Sequence, residues 1–321
     1  MPDDLVSVII PVRNAGSYIR ATLTRILAEA QPLEIIVVDD GSSDDSMDQV
    51  RLFRDQRVRT VAGPGKGIAA SMNAGLAHAR GTILMRCDAD DLYIPGRIAE
   101  QVLWLQRHAD YEAVCGAFGT IDAKGALVAD LLPRIGLRPE EITDEIRDGQ
   151  LRTHLCTYAI RASLVRRAGD FRCYFETAED LDYQFRLAEL GRIYYAPKTW
   201  YLWRLHARSA THSGAERRIF FERTAREFQQ QRASLAGADA LQRGAPPTPP
   251  AAGPAESGLR SAQDHVQGML LARAWLEHGG GEKARALSTG FRAIKERPYG
   301  LAVWKSVAAL AIKPTRKHPT D

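Results

Sequence analysis

The first hundred residues alternate between short runs that are apolar throughout and longer stretches of helical periodicity. Residues 5–11 read L-V-S-V-I-I-P and residues 33–38 read L-E-I-I-V-V. Such β-branched runs fit strands buried on both faces. Residues 57–62 and 82–86 predict two further strands. Helices are predicted between and after them, over 17–30, 44–54, 68–80 and 95–108. Ser17 suits an N-cap, Gly81 a C′ stop, and Pro95 a first helical turn. Alternation of this kind predicts a parallel sheet with helices on both faces.

Beyond residue 110 the pattern loosens. It predicts a strand over 111–118, a short helix over 139–148 and a helix over 179–190. An aromatic-rich strand or hairpin follows over 193–203, then a long charged helix over 213–235. Residues 237–258 contain A-P-P-T-P-P-A-A-G-P and predict a linker, semi-rigid where proline dominates. Helical periodicity returns at 272–278, 284–295 and 301–312, enough for a small bundle. The last of these carries an apolar face of Leu301, Trp304, Ala308 and Ala311, with Lys313, Arg316 and Lys317 after it. That face fits packing inside the bundle, and it also fits a helix lying on an anionic membrane.

Composition narrows the class. A chain of 321 residues, 45% apolar and 26% charged, is an ordinary globular chain, not collagen-like, disulfide-scaffolded or disordered throughout. It has no run of about 18 apolar residues of the kind that crosses a bilayer. The opening M-P-D-D is acidic and leads straight into a strand, unlike a secretory leader, so the chain reads as cytoplasmic. Net charge is +4. Residues 259–321 carry an excess of six basic side chains, which leaves the rest slightly acidic. The body therefore does not read as a nucleic-acid binder, and only the tail suits an anionic surface. Cys87, Cys115, Cys156 and Cys173 form no C-x-x-C pair and read as small apolar residues in a reducing compartment.

The chemistry-bearing residues follow the strands. In an open α/β sheet, ligands bind at the carboxyl ends of the strands. Those positions hold P-V-R-N-A-G at 11–16, D-D-G-S-S-D at 39–44, G-P-G-K-G at 63–67 and C-D-A-D-D at 87–91. Carboxylates gathered on one rim repel unless a cation joins them. Asp88 and Asp90 offer hard oxygen ligands suited to Mg²⁺ or Mn²⁺. The glycine loop matches neither G-x-x-x-x-G-K-[ST] nor G-x-G-x-x-G, which removes the main support for an ATPase or a dehydrogenase.

Six segments resemble, in order, the signatures of the family 2 glycosyltransferases. They are V-S-V-I-I-P-V-R-N, I-I-V-V-D-D-G-S-S-D, G-I-A-A-S-M-N-A-G-L, C-D-A-D-D, A-E-D-L-D-Y-Q-F-R-L-A at 178–188, and W-R-L-H-A-R-S-A-T at 203–211. The resemblance covers roughly residues 5–212. It implies an α/β, GT-A-type fold: a Rossmann-like, mostly parallel sheet with flanking helices, here with a small C-terminal helical region. Residues 1–236 would form the transferase domain, with a nucleotide-binding half over about 1–118 and an acceptor half over about 119–236. A linker over 237–258 and the helical region over 259–321 would follow.

The same resemblance implies metal-dependent, inverting transfer of one sugar from a nucleotide-diphosphate sugar, UDP-linked, to an acceptor hydroxyl. The acceptor would be a glycan, a lipid-linked species or a protein, in cell-surface polysaccharide or glycoconjugate assembly. Pro11, Val12, Arg13 and Asn14 would border the nucleotide, and Asp40 would accept a hydrogen bond from its base. Lys66, Gly67 and Asn73 would pack a third loop against it. Asp88 would lie near the ribose or the metal, Asp90 would ligate Mn²⁺ or Mg²⁺, and Asp91 is the next candidate. Asp180 would be the catalytic base, with Glu179 as the alternative; Asp182 suits the charge preference of a helix start. His206 would be a late metal or phosphate ligand, and Arg204 and Arg208 would meet phosphate oxygens.

His154 would lie on the acceptor side. Trp200, Tyr201 and Trp203 would stack on sugar or pack in the core. Processive relatives carry membrane helices and a Q-x-x-R-W element; Gln184-Phe185-Arg186-Leu187 does not match it, so transfer of a single residue is expected. The alternative is a non-catalytic nucleotide-sugar-binding or scaffold relative of the same fold.

Overall fold

The computed structural model describes residues 5–130, 139–206, 215–234, 237–251 and 262–315. The chain divides into two compact units. The first comprises Met1–Phe118, Leu131–Trp203 and Glu216–Ala252; the second comprises Gly119–Asp130, Arg204–Ala215 and Gly253–Asp321.

The first unit opens with β1 (Val6–Val12), α1 (Ile19–Leu27), β2 (Leu33–Asp39), α2 (Ser46–Arg51), β3 (Val58–Ala62), α3 (Ile68–His78) and β4 (Ile83–Arg86). The strands β3, β2, β1 and β4 lie side by side in that order, all parallel. Burial on both faces follows from the sequence. Along β1, Ile9 enters one apolar cluster, while Val8 and Ile10 enter the other. In β2, Ile36 and Val38 share the cluster of Ile9, and Ile35 and Val37 share that of Val8. Strand residues alternate sides, so a continuous apolar run feeds two cores at once.

Met72 of α3 covers the first cluster; Leu23 of α1 covers the second. Small residues let α3 come close. A Cβ added at Gly75 would stand 2.4 Å from Cγ2 of Ile9 and 3.2 Å from Cγ2 of Val38.

Further along come β5 (Leu92–Tyr93), α4 (Arg97–Arg107), β6 (Ala113–Ile121), β7 (Leu127–Asp130), β8 (Glu140–Glu141) and α5 (Thr143–Arg147). Then follow β9 (Ala159–Arg161), α6 (Ala162–Ala168), α7 (Glu179–Leu190), β10 (Ile193–Arg204) and α8 (Ala215–Ser234). The sheet continues from β4 through β9, β6 and β10 to β5, with β8 also on β10. The resolved pairings of β9 with β4 and β6, and of β10 with β5 and β8, are antiparallel. Among the described pairings, the parallel ones of the expected α/β sheet are those of β3-β2-β1-β4.

Several boundaries differ from the pattern. Ser17 does not cap α1, which starts at Ile19 without a side-chain cap. The short helix expected over 139–148 is a two-residue strand followed by the five-residue α5.

Residues 237–251 are not a spacer. They belong to the first unit, and Asp239 is fully buried between Arg172 at 2.5 Å and Arg232 at 2.6 Å. The hydroxyl of Tyr174 also donates to the carbonyl of Pro247 at 2.6 Å. The stretch lacks an apolar period, but one buried carboxylate meeting the guanidiniums of half-buried Arg172 and buried Arg232 anchors it. The remainder of the expected linker, 252–258, lies outside the described residues.

The second unit begins where β6 passes Gly119. There β6 pairs antiparallel with β7, Thr120 opposite Ala129. It also contains α9 (Ala262–Gly279), α10 (Lys283–Glu296) and α11 (Leu301–Ile312). Leu270 and Ala274 of α9, Ala286 and Ala293 of α10, and Val307 and Leu310 of α11 are buried. Arg273 and Arg292 donate to the carbonyls of Val128 and Leu127, tying the helices to the β6–β7 hairpin. The expected division after residue 236 is therefore corrected. Segment 119–130 joins the C-terminal helices, because hairpin carbonyls supply acceptors for their arginines.

Candidate active site

Parallel pairing brings four strand ends to one edge. Val12 is opposite Asp39, Asp39 is opposite Ala62, and Ile9 is opposite Arg86. The loops that leave these ends hold one another. Asn14 adopts a left-handed φ of 56°, and its Oδ1 accepts the backbone N–H of Ser43 at 2.8 Å. The N–H of Ala15 donates to Oγ of Ser46 at 2.7 Å, and that of Gly16 to Asp44 at 3.1 Å. The first two loops are therefore one interlocked rim. Pro11 is half-buried, Val12 is buried and Arg13 is exposed.

Asp40 links the second loop to the third. Its side chain is buried, and Oδ2 accepts the N–H of Gly67 at 2.9 Å. Gly67 has a φ of 90° and Gly65 one of 68°, values that favour glycine. The other oxygen of Asp40, Oδ1, is buried and has no hydrogen-bond partner among the described residues. An unpaired buried acceptor is costly unless something supplies a donor. Lys66 stands exposed beside Gly67. Asn73 is placed differently from the expectation. Its Nδ2 donates to the carbonyl of Phe171 at 2.8 Å, and its Oδ1 accepts the N–H of Phe171 at 2.7 Å. The amide clamps α3 to the segment before α7.

The fourth loop is built round Arg86, the buried last residue of β4. Its Nε donates to Oδ1 of Asp88 at 2.8 Å, and its Nη1 donates to Oε1 of Glu179 at 3.0 Å. Burial opposes the charge of Arg86, but Asp88 and Glu179 outweigh it and hold its pKa well above the usual value. Burial pushes Glu179 up to about 7, with Arg86 opposing.

Asp88 also receives the thiol of buried Cys156 at 3.5 Å on Oδ2; burial keeps that thiol protonated by raising its pKa well above the usual value. Behind this, the backbone N–H of Asp88 donates to the hydroxyl of Tyr201 at 3.1 Å, and that hydroxyl donates to Asp91 at 2.6 Å. Asp91 is thereby buried as a support of the loop, not as a lining residue. Asp90 is half-buried. Trp200 and Tyr201 are buried, which settles them as core and not as a stacking platform for sugar.

At the start of α7, Ala178 takes a left-handed φ of 63°. Glu179 is turned to Arg86, while Asp180 is half-buried. Asp182 is fully buried and pairs with Arg186 at 2.9 Å, so its part is structural. His154 has an exposed ring, packed edge-on to Phe118 with centroids 4.3 Å apart. Burial by its dense surroundings lowers its pKa, opposed by Asp180 and Asp88.

Arg204 and His206 fall in the second unit. Buried Arg204 donates to the carbonyls of Asp122 and Ala123, each at 3.2 Å, so its guanidinium holds the β6–β7 turn. His206 is half-buried. Arg208 lies outside the described residues.

Residues 7–172, just over half of the chain, match the family described as Glycosyl transferase family 2. The chain belongs to that family. A Rickettsia felis member named as an uncharacterized glycosyltransferase is 28% identical over 196 residues, 60% of this chain and 32% of that protein. The chain thus spans about a third of that relative. EpsE of Bacillus subtilis, which also carries a glycosyltransferase name, is 31% identical over 195 residues, covering 58% of this chain and 67% of EpsE. Residues 1–349 of S. aureus TarS, solved in complex with UDP-GlcNAc, superpose with a TM-score of 0.60. That match covers 95% of this chain and 83% of the other at 17% identity, and so bears on the fold alone. It identifies the sheet and its flanking helices as a glycosyltransferase GT-A fold.

The residue that family motifs passed over is Arg86. A charge closing the otherwise apolar run I-L-M-R was the available signal.

Proposed function

We propose that the chain transfers one sugar from a UDP-linked donor to an acceptor hydroxyl, with inversion and with help from a divalent cation. One observation carries this reading. Buried Arg86 joins the D-x-D loop at Asp88 to the start of α7 at Glu179, so the donor-side and acceptor-side carboxylates are held on one cation. The unpaired Oδ1 of Asp40 supports the donor side: it is a preformed acceptor for an N–H of a pyrimidine base. The UDP-GlcNAc complex of TarS supports the choice of UDP.

Asp180 is the base in this reading. It is the accessible member of the pair, whereas Glu179 is committed to Arg86. Asp180 takes the proton of the acceptor hydroxyl as its oxygen attacks the anomeric carbon, and the nucleotide diphosphate departs from the opposite face. His154, beside Asp180 and Asp88 electrostatically, borders the acceptor.

A cation site shared with the donor is part of this reading. Among the described residues no group of three or more His, Cys, Asp or Glu side chains forms a metal cage. Asp90, helped by the second oxygen of Asp88, would hold Mn²⁺ or Mg²⁺ together with diphosphate oxygens. That ion would supply countercharge to the leaving diphosphate.

Transfer is of single residues, to a glycan, lipid-linked or protein acceptor, in a cytoplasmic setting. The free cysteines, with Cys87, Cys115 and Cys156 buried, support that setting. The test is UDP release from UDP-sugars with Mn²⁺. Asp90→Ala and Asp180→Asn should each lose release by about a hundredfold or more. Release at the wild-type rate by both variants would reject the site.

A further inference from the structure

The last helix, α11, is apolar almost all round: L-A-V-W-K-S-V-A-A-L-A-I. A helix of that composition is normally covered on every side. Among the described residues only one side is covered, by burial of Val303, Val307 and Leu310. At about 100° per residue, Leu301, Trp304, Lys305, Ala308 and Ile312 share the opposite side. Leu301 is 77% exposed, Trp304 50% and Ile312 81%. Tyr299, just before the helix, is 95% exposed. The indole N–H of Trp304 donates to the carbonyl of Pro298 at 2.8 Å, so an exposed ring is held in place.

The charge on this face selects its partner. Lys305 lies within the apolar arc and is exposed, and exposed Lys313 follows the C-terminal end. No acidic residue lies anywhere in α11. A second copy applied face to face would bury Lys305 against a surface without a carboxylate, which is costly. A bilayer interface accepts the same pattern: apolar side chains enter the acyl boundary, while lysine stems reach back to anionic headgroups. Tryptophan and tyrosine favour that depth. At twelve residues α11 is too short to span, and no described helix is long and apolar enough to cross a membrane.

We propose that the exposed side of α11 lies flat on an anionic phospholipid surface. Leu301, Trp304 and Ile312 enter the interface and Lys305 meets lipid phosphates, while the ammonium of Lys313 lies over the Trp275 ring, 5.2 Å from its centroid, at the border of the face. Arg316 and Lys317 lie outside the described residues and are not needed.

The test is flotation of the full chain with phosphatidylcholine vesicles, with and without phosphatidylglycerol. Wild type should float with the anionic vesicles only. Trp304→Glu and Ile312→Glu should each weaken binding by about tenfold or more, and Lys305→Glu by several-fold. These positions are exposed, so thermal melts of the variants should match wild type. The proposal fails if wild type stays with the soluble fraction, or if the glutamate variants float like wild type. It also fails if wild type sediments as a dimer that Trp304→Glu converts to monomer. Binding needs no sugar donor, so the result stands apart from the transfer chemistry.

Discussion

Arg86 and Glu179, 93 residues apart in sequence, meet as a buried ion pair at 3.0 Å. The same guanidinium holds Asp88 at 2.8 Å. One cation therefore fixes the distance between a strand-end loop and a helix start. It also offsets part of the negative charge gathered on the rim. A rim of carboxylates does not have to wait for a bound ion to become compatible with folding; an internal arginine begins the neutralisation.

Removing that cation should be costly. Arg86→Met leaves Asp88 and Glu179 without their partner, and breaking a buried pair from one side costs about 3–5 kcal/mol. Glu179→Gln keeps an acceptor for Arg86 and removes a desolvated charge, so its loss should stay within about 1 kcal/mol. Urea denaturation of the two variants measures both. Equal stability of Arg86→Met and wild type would dismiss the bridge.

The same pair gives a pH dependence with a definite sign. Burial raises Glu179 from 4.5 to about 7 in the folded chain. Between those values the native state binds more protons than the unfolded state, so stability falls as pH rises. The contribution is fully present below the unfolded pKa and is lost through pH 7, by about 3 kcal/mol at most. Glu179→Gln lacks this titration. The stability difference between wild type and Glu179→Gln, followed from pH 5 to pH 8, should move against wild type; a flat difference would refute the shift.

Much of this was legible before any coordinates. β1 and β2 read as strands because parallel strands are buried twice over and keep no polar face. The rim followed, since parallel strands end on one edge. Arg86 stood out only as a charge closing an apolar run, and its part was not legible, because a charge at a strand end reads as solvent-facing until a partner from α7 is known. Asp91, offered as the next ligand candidate, is a support for a similar reason: only the register of β10 against β5 brings the phenol of Tyr201 behind the D-x-D loop. β5, β8 and β9, of two or three residues, are too short to carry a period. The grouping of 119–130 with the C-terminal helices is a tertiary fact with no local trace.

Asp239 tests the reading of the proline-rich stretch. A spacer would tolerate Asp239→Ala without effect. Here the substitution leaves Arg172 and Arg232 facing each other in a buried place, although Glu189 and Asp182 keep part of the charge balanced. A loss of about 2–4 kcal/mol is expected, read as a lower urea midpoint with unchanged slope. Proteolysis between residues 237 and 251 should become faster in the variant. An unaltered midpoint would return the stretch to a linker.

Asp40 separates nucleotide recognition from folding. Oδ2 accepts the N–H of Gly67, and Oδ1 is the buried oxygen that remains. Asp40→Asn can keep its carbonyl oxygen on Gly67 and so preserve the loop. Its amide then presents N–H groups where the carboxylate presented a lone pair, and two donors cannot pair. Loss of a charged acceptor against a buried N–H is worth about 1.5–3 kcal/mol, or roughly ten- to a hundredfold in affinity. Titration calorimetry with UDP should record that loss, while the melting temperature without ligand stays near that of wild type. Tight UDP binding by Asp40→Asn would remove this oxygen from the base contact; a collapsed melting temperature would show instead that the bond to Gly67 had not survived.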